Sequence, residues 1–265
     1  MNSALIEFRD VHKAFGANAV LKGVDLSIYA GEISTIIGKS GIGKSVLLKH
    51  IIGLLAPDSG QIFFDNVALD RMSGVQRKAM KITCSYMFQG TALFDSMTVY
   101  ENIALPLREH RKYPAKEIRS RVREKMAQLD IAGIENSYPS QLSGGTKKRV
   151  AMARALITEP RVVLFDEPTT GLDPIRKAAA HQMIVDYQKQ FGFTAIMVSH
   201  EIPDVFFISQ RIAMLDEGRI IFQGACKEIQ TSQHPAVREF LDSAARANGL
   251  CPESGKRNGG SDATR

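Results

Sequence analysis

Three short stretches of this 265-residue chain hold residues whose types and spacing point to chemistry on phosphate groups. Gly38-Lys39-Ser40-Gly41-Ile42-Gly43-Lys44-Ser45, followed by Val46, fits the spacing G-x-x-x-x-G-K-[ST]. Its glycines let the backbone curl so that successive N–H groups converge on phosphate oxygens, and a helix behind the loop adds the positive end of its dipole. Lys44 supplies a point charge for β- and γ-phosphates, and Ser45 a hydroxyl for Mg²⁺. The second stretch, Val162-Val-Leu-Phe-Asp166-Glu167-Pro168, is an apolar run closed by two carboxylates. A strand of this kind delivers Asp166 to the C-terminal edge of a sheet, where ligands bind, to hold Mg²⁺ directly or through water. Glu167, one residue on and facing another way, can accept the proton of an attacking water. The third, Leu142-Ser143-Gly144-Gly145, opens a predicted helix and offers its backbone N–H groups as a second anion site.

The elements that must position these groups follow from periodicity. Ile6 and Phe8, then Val24, Leu26 and Ile28, alternate with polar neighbours as half-buried antiparallel strands do. The apolar run Ile33–Ile37 ends at Gly38, and from Lys44 the pattern turns helical, with Leu47, Leu48, Ile51 and Leu55 three and four apart. Pro57-Asp58-Ser59-Gly60 then supplies turn chemistry. Residues from about 90 to 158 read as a helical insert. One helix follows Pro114 with Ile118, Val122, Met126 and Leu129 on its apolar stripe, while Arg119, Arg121, Arg123 and Lys125 predict a solvated basic surface. Another is capped by Ser143 and runs through Ala151 to Ile157. Further strands are expected at 161–165, 194–198 and 211–215, and strands alternating with helices imply an α/β sheet. Ala244 to Arg265, rich in Gly, Ser, Asn and charge, predicts an unstructured tail.

Composition narrows the class. Hydrophobic residues at 44% and charged residues at 23% support a packed core and exclude wholesale disorder. The longest apolar stretches are strand-length, and Leu47 to Ala56 is broken by Lys49 and His50, short of the roughly 20 apolar residues of a membrane span. The start, MNSALIEFRD, lacks the basic and apolar regions of a signal peptide. Cys84, Cys226 and Cys251 make an odd number without C-x-x-C spacing, against a disulfide framework or structural zinc. The net charge of +6 suits an anionic partner, whether nucleic acid, phosphate ligand or membrane surface, and does not choose among them.

A glycine loop of this type together with the Leu142–Gly145 serine–glycine nest resembles the ATP-binding cassette (ABC) family, the nucleotide-binding subunits of ABC transporters, over nearly the whole chain. The resemblance implies an α/β fold of the P-loop NTPase ABC type, with a mixed sheet core, an antiparallel β subdomain and a helical subdomain. The ABC domain would span 4–243, with a RecA-like core at 1–89 and 159–243, the helical subdomain at about 90–158, and the tail at 244–265. ATP and Mg²⁺ are the implied ligands. Residues 38–46 would cradle the phosphates and Phe15 would stack on adenine. Gln89 matches the Q-loop glutamine, reaching Mg²⁺ (with Ser45 and Asp166) and the attacking water. His200 matches the switch histidine that contacts the γ-phosphate, and Asp173 in Gly171-Leu172-Asp173 the D-loop. Glu167, His200, Gln89 and Lys44 then form the catalytic set. Ser143, Gly144, Gly145 and Thr146 would act in trans, on ATP held by a second copy, giving a head-to-tail homodimer with two composite sites. Thr146 departs from the family's usual glutamine, so altered contacts to the nucleotide sugar are expected with activity retained.

Three phrases narrow the resemblance: ALFDSMTVYENIALPL, IIGKSGIGKSVLLKHIIGLLAPDSG and LSGGTKKRVAMARAL. They are similar to ATPases of Mla-type lipid transporters that serve Mce-domain proteins, as are Val46 after Gly43-Lys44-Ser45 and the run Lys147-Lys148-Arg149. That implies a peripheral subunit on the cytoplasmic face of an inner membrane, driving phospholipid movement through a separate permease docked near residues 90–108. A periplasmic Mce-domain lipid-binding protein and a small cytosolic accessory protein are the other implied partners, and no nucleic acid. An amino-acid or other small-solute importer ATPase shares every catalytic motif. A soluble ABC ATPase on nucleic acid usually carries a second cassette, a coiled coil or a zinc insertion, none of which the sequence displays. A scaffold without turnover is opposed by Glu167 and His200.

Overall fold

The computed structural model describes residues 3–88, 90–110, 113–201 and 204–247. In chain order the elements are β1 (Ile6–Phe15), β2 (Asn18–Ile28), β3 (Ile33–Ile37), α1 (Lys44–Ile51), β4 (Ser59–Phe64), β5 (Val67–Ala68), α2 (Gly74–Ile82) and β6 (Cys84–Met87). They continue as α3 (Val99–His110), α4 (Ala115–Gln128), α5 (Gly144–Leu156), β7 (Val162–Asp166), α6 (Pro174–Phe191) and β8 (Thr194–Ser199). The chain closes with α7 (Asp204–Ile208), β9 (Arg211–Asp216), β10 (Arg219–Ala225), α8 (Cys226–Thr231) and α9 (Pro235–Ala247).

Two sheets result. Strands β1, β2, β4 and β5 form an antiparallel sheet in the order β2-β1-β4-β5. The other sheet runs β10-β9-β3-β8-β7-β6, parallel except for β10, which turns back on β9. Its central strands are buried on both faces, and side chains alternate between two cores as the period of two requires. Val163 and Phe165 pack into the core shared with α3, α4, α5 and α6. Val162 and Leu164 pack into the core shared with α1 and the antiparallel sheet. The expected α/β architecture is therefore present, with a mixed sheet and a separate antiparallel one.

The strongly periodic elements lie where the sequence predicts them. Pro114 is the N-cap of α4, and Ser143 caps α5 by accepting a hydrogen bond from Thr146 N at 3.2 Å. The short edge strands carried weaker signals: β6 is only half-buried throughout, and β10 mostly so. The β9–β10 hairpin turns on Glu217 (φ 44°) and Gly218 (φ 81°), where two consecutive positive φ angles match the tight turns that antiparallel hairpins favour. Pro106 stands inside α3, a position from which sequence alone argues against a helix.

Two expectations need correction. Lys125 is not on a solvated face: it is buried, with its ammonium 4.2 Å from the centroid of the Phe191 ring. It lies three residues after Val122 and seven after Ile118, on their buried side of α4, and the long alkyl stem lets a lysine pack there. Arg121 likewise stacks 4.4 Å from the Tyr113 ring centroid and bonds Glu117 at 3.0 Å. The tail predicted from Ala244 overlaps the last turn of α9, which continues to Ala247, because Val237 and Phe240 anchor that helix in the core. Residues 248–265 lie outside the described residues. Cys84 and Cys226 are free thiols, and burial pushes that of Cys84 up to about 11. Among the described residues no helix is long and apolar enough to cross a membrane.

Phe165 is fully buried, 6.4 Å from Phe193 between ring centroids. Phe165→Ala should cost about 3–5 kcal/mol of stability, read as a lower urea midpoint with an unchanged slope.

Candidate active site

Four adjacent parallel strands end at one edge of the large sheet, and each end carries residues singled out above. Strand register puts Ile37 opposite Ser199, Asp166 opposite Val198, and Met87 opposite Phe165. The Gly38 loop, His200, Asp166-Glu167 and the chain leading to Gln89 therefore leave the sheet side by side. Gln89 itself lies outside the described residues.

The loop after β3 is built by local geometry only glycine allows. Gly43, the N-cap of α1, has φ 112°, and a Cβ there would sit 2.6 Å from Val20 Cγ1 on β2. Lys44 is 5% exposed, and its Nζ donates to the carbonyls of Gly38 (2.9 Å) and Lys39 (2.8 Å), folding the loop around its own ammonium. Burial holds its pKa below the ordinary lysine value, an effect opposed by the nearby charges of Glu167 and Asp166. A cation so desolvated and bound only to neutral carbonyls is suited to receive phosphate oxygens.

Asp166 is the junction. Ser45 Oγ donates to its Oδ1 at 2.7 Å and Tyr86 Oη to its Oδ2 at 2.6 Å. The Ser45 and Asp166 oxygens stand close to the roughly 2.9 Å edge of an octahedron with 2.0–2.1 Å metal–oxygen bonds, and both are hard donors, so the pair fits Mg²⁺. Among the described residues no cluster of three or more His, Cys, Asp or Glu could hold a metal, and Mg²⁺ commonly takes only one or two protein ligands beside phosphate and water.

Glu167 adopts φ 49°, uncommon for a non-glycine residue, and its N–H donates to Val198 O at 3.2 Å. This turns its carboxylate away from Asp166. His200 Nδ1 lies 3.1 Å from Glu167 Oε1, and Thr170 Oγ1 donates to Oε2 at 3.0 Å. Sequence reasoning missed Tyr86, Thr170, Thr169, Lys177 and Glu201. Tyr86 lies 80 positions from Asp166 and carries no local signal, whereas the others flank motif residues.

The Ser143 end of α5 does not join this cluster within the chain. Ser143, Gly144 and Gly145 line a separate cavity of about 510 Å³ with Lys148, Arg149, Leu172 and Arg176, and none of the Gly38–Ser45 loop reaches it. Thr146 Oγ1 is 2.8 Å from Ser143 Oγ, so the threonine draws the serine hydroxyl to itself. Asp173 caps α6 by accepting from Arg176 N at 3.0 Å. Phe15 is 48% exposed at the end of β1, its ring centroid 5.7 Å from Lys13 Nζ.

Residues 21–170 match the protein family described as "ABC transporter". The chain belongs to the ABC transporter family. It is 40% identical over 89% of its length to "Probable ribonucleotide transport ATP-binding protein mkl" of Mycobacterium tuberculosis, of which it spans 66%. It is 37% identical over 91% of its length to "Intermembrane phospholipid transport system ATP-binding protein MlaF" of Escherichia coli, of which it spans 90%. A solved structure, the "Dimeric structure of a post-hydrolysis state of the ATP-binding cassette MJ0796 bound to ADP and Pi", aligns over 83% of this chain and 98% of its own with a TM-score of 0.71 and 30% identity. Membership of this family accounts for the strand-end cluster as an ATP site.

Lys44→Ala removes the charge-assisted donor of the cradle. Hydrogen bonds to charged groups are worth about 1.5–3 kcal/mol, so titration with a fluorescent ATP analogue should give binding about 10–100-fold weaker than for the parent chain.

Proposed function

We propose that this chain is the ATP-hydrolysing subunit of a transporter that moves phospholipid through a separate membrane permease. The observation that carries the reading is the convergence at one sheet edge of the Lys44 cradle, the Ser45–Asp166 pair and the Glu167–His200 pair. Overall similarity to the E. coli phospholipid-system subunit, over nine-tenths of both chains, supports the cargo. The mycobacterial relative's name favours a ribonucleotide cargo instead, but this chain spans a smaller share of that protein.

In this reading the Gly38–Ser45 backbone and Lys44 bind the triphosphate; Ser45 and Asp166, with Gln89 as a further ligand, would hold Mg²⁺, which would supply charge neutralisation at the phosphates. Glu167 takes the proton of the attacking water. The Thr170 hydroxyl orients its carboxylate, and His200 lies beside it to follow the γ-phosphate. Phe15, exposed near the mouth of the β1–β2 turn, stacks on the base.

The separation of Ser143–Gly145 from the cradle supports a homodimer in which each chain's α5 N-terminus closes on the ATP of the other, so that one chain alone has two half-sites. Loss of the γ-phosphate releases that closure.

The permease contact is placed at residues 90–108. Phe94 in that segment is 49% exposed, apolar surface that suits a docking helix. The loop is held for that purpose by Asn102, which bonds the carbonyls of Phe94, Met97 and Thr98, and by Arg154, which bonds those of Thr91 and Ala92. An Mce-domain protein beyond the membrane and a small accessory protein complete the assembly, with this chain peripheral on the cytoplasmic face.

Glu167→Gln should bind Mg-ATP as the parent does while phosphate release slows by about 10²–10⁴, the worth of a general base. An unchanged rate removes Glu167 from that role. Reconstitution with the permease in liposomes tests the cargo: ATP-dependent movement of labelled phospholipid is expected, and ribonucleotide uptake without lipid movement would refute the reading.

A further inference from the structure

Glu201 follows His200 and reaches neither Asp166 nor Glu167 directly, yet its carboxylate is fully engaged. Oε2 accepts from Thr169 Oγ1 at 3.0 Å, and Oε1 pairs with Lys177 Nζ at 2.6 Å. Its own N–H donates to Ser199 Oγ at 3.0 Å. The group is sheltered: Thr169 is 1% exposed, and the Glu201 and Lys177 side chains are 16% and 22% exposed.

Each tie fastens a different functional segment. Thr169 lies between Glu167 and Thr170, whose hydroxyl orients the Glu167 carboxylate. Lys177 sits one turn into α6, and its N–H donates to the carbonyl of Asp173, the residue that caps that helix. Glu201 itself is bonded to His200 by the chain. The β7–β8 ladder ends at Asp166 and Val198, and one further backbone bond, from Glu167 N to Val198 O, extends it. Beyond that point the segments carrying Glu167, His200 and Asp173 have no shared sheet to hold them in register. One carboxylate with two charge-assisted or buried hydrogen bonds replaces it.

We infer that Glu201 is a positioning residue for ATP hydrolysis: it holds the segments of Glu167 and His200 at their working distance and ties them to the Asp173 end of α6. The inference rests on the roles given above to Glu167 and His200. It acts through those groups and touches no nucleotide.

The test compares steady-state ATP hydrolysis by the full-length protein, assembled with its permease, across three variants. Glu201→Ala breaks both ties, and because a misplacement of about 1 Å can cost on the order of 10²-fold, kcat should fall about 10–100-fold with KM for ATP unchanged. Glu201→Gln keeps the shape, with its amide able to accept from Lys177 and donate to the Thr169 hydroxyl, and should restore kcat to within about threefold of the parent. Lys177→Met, which spares the Thr169 bond, should lower kcat less than Glu201→Ala and also leave KM alone; it carries the test if Glu201→Ala does not fold. Parental kcat in both Glu201→Ala and Lys177→Met, or a fall in kcat that Glu201→Gln does not relieve, overturns the inference. So does a loss that tracks melting temperature and KM together. Glu167→Gln measured alongside separates the failures: if it stalls while Glu201→Ala and Lys177→Met run at the parental rate, only the positioning role falls, and if it also runs at the parental rate, both readings fall.

Discussion

The Asp166 carboxylate holds the site together. One oxygen accepts a hydrogen bond from Ser45 at the start of α1 and the other from Tyr86 at the end of β6, so strand β7 is tied at its tip to elements on either side. A carboxylate that keeps two hydroxyl donors satisfied in a partly buried position stays in one orientation. Everything else at the edge is arranged from that fixed point: the Gly38 loop returns to the sheet through Ser45, and Glu167 begins from it with a turn to positive φ.

Around that point several charged groups are paired within the chain. Lys44 rests on two carbonyls, Glu167 on His200 and Thr170, and Glu201 on Thr169 and Lys177.

The Ser143–Gly145 nest follows a different logic. Its serine is an N-cap and its glycines leave the first turn of α5 open on the surface, away from the cradle. In the proposed dimer, a helix start so exposed and so poor in side chains would meet a phosphate brought by another surface. Thr146 stands where the family usually has glutamine; its shorter side chain lies 2.8 Å from the Ser143 hydroxyl.

The chemistry was legible in the sequence because it depends on spacing along one segment. Gly38 to Gly43 read as a loop because glycine spacing and the start of the following helix are local signals, and the run from Val162 to Phe165 is apolar enough to read as a buried strand. The strong helices α4 and α5 were readable for the same reason, from apolar stripes and a capping serine. Edge strands β6 and β10 were not, because their residues are partly buried on both faces and do not alternate, and Lys125 was misplaced because a long polar side chain can pack its stem inside. What only the tertiary structure decided is which distant groups share an oxygen. Tyr86 meets Asp166, and Thr169 and Lys177 meet Glu201, through the order of parallel strands. That order is set by which apolar faces bury together, and no window of sequence contains it.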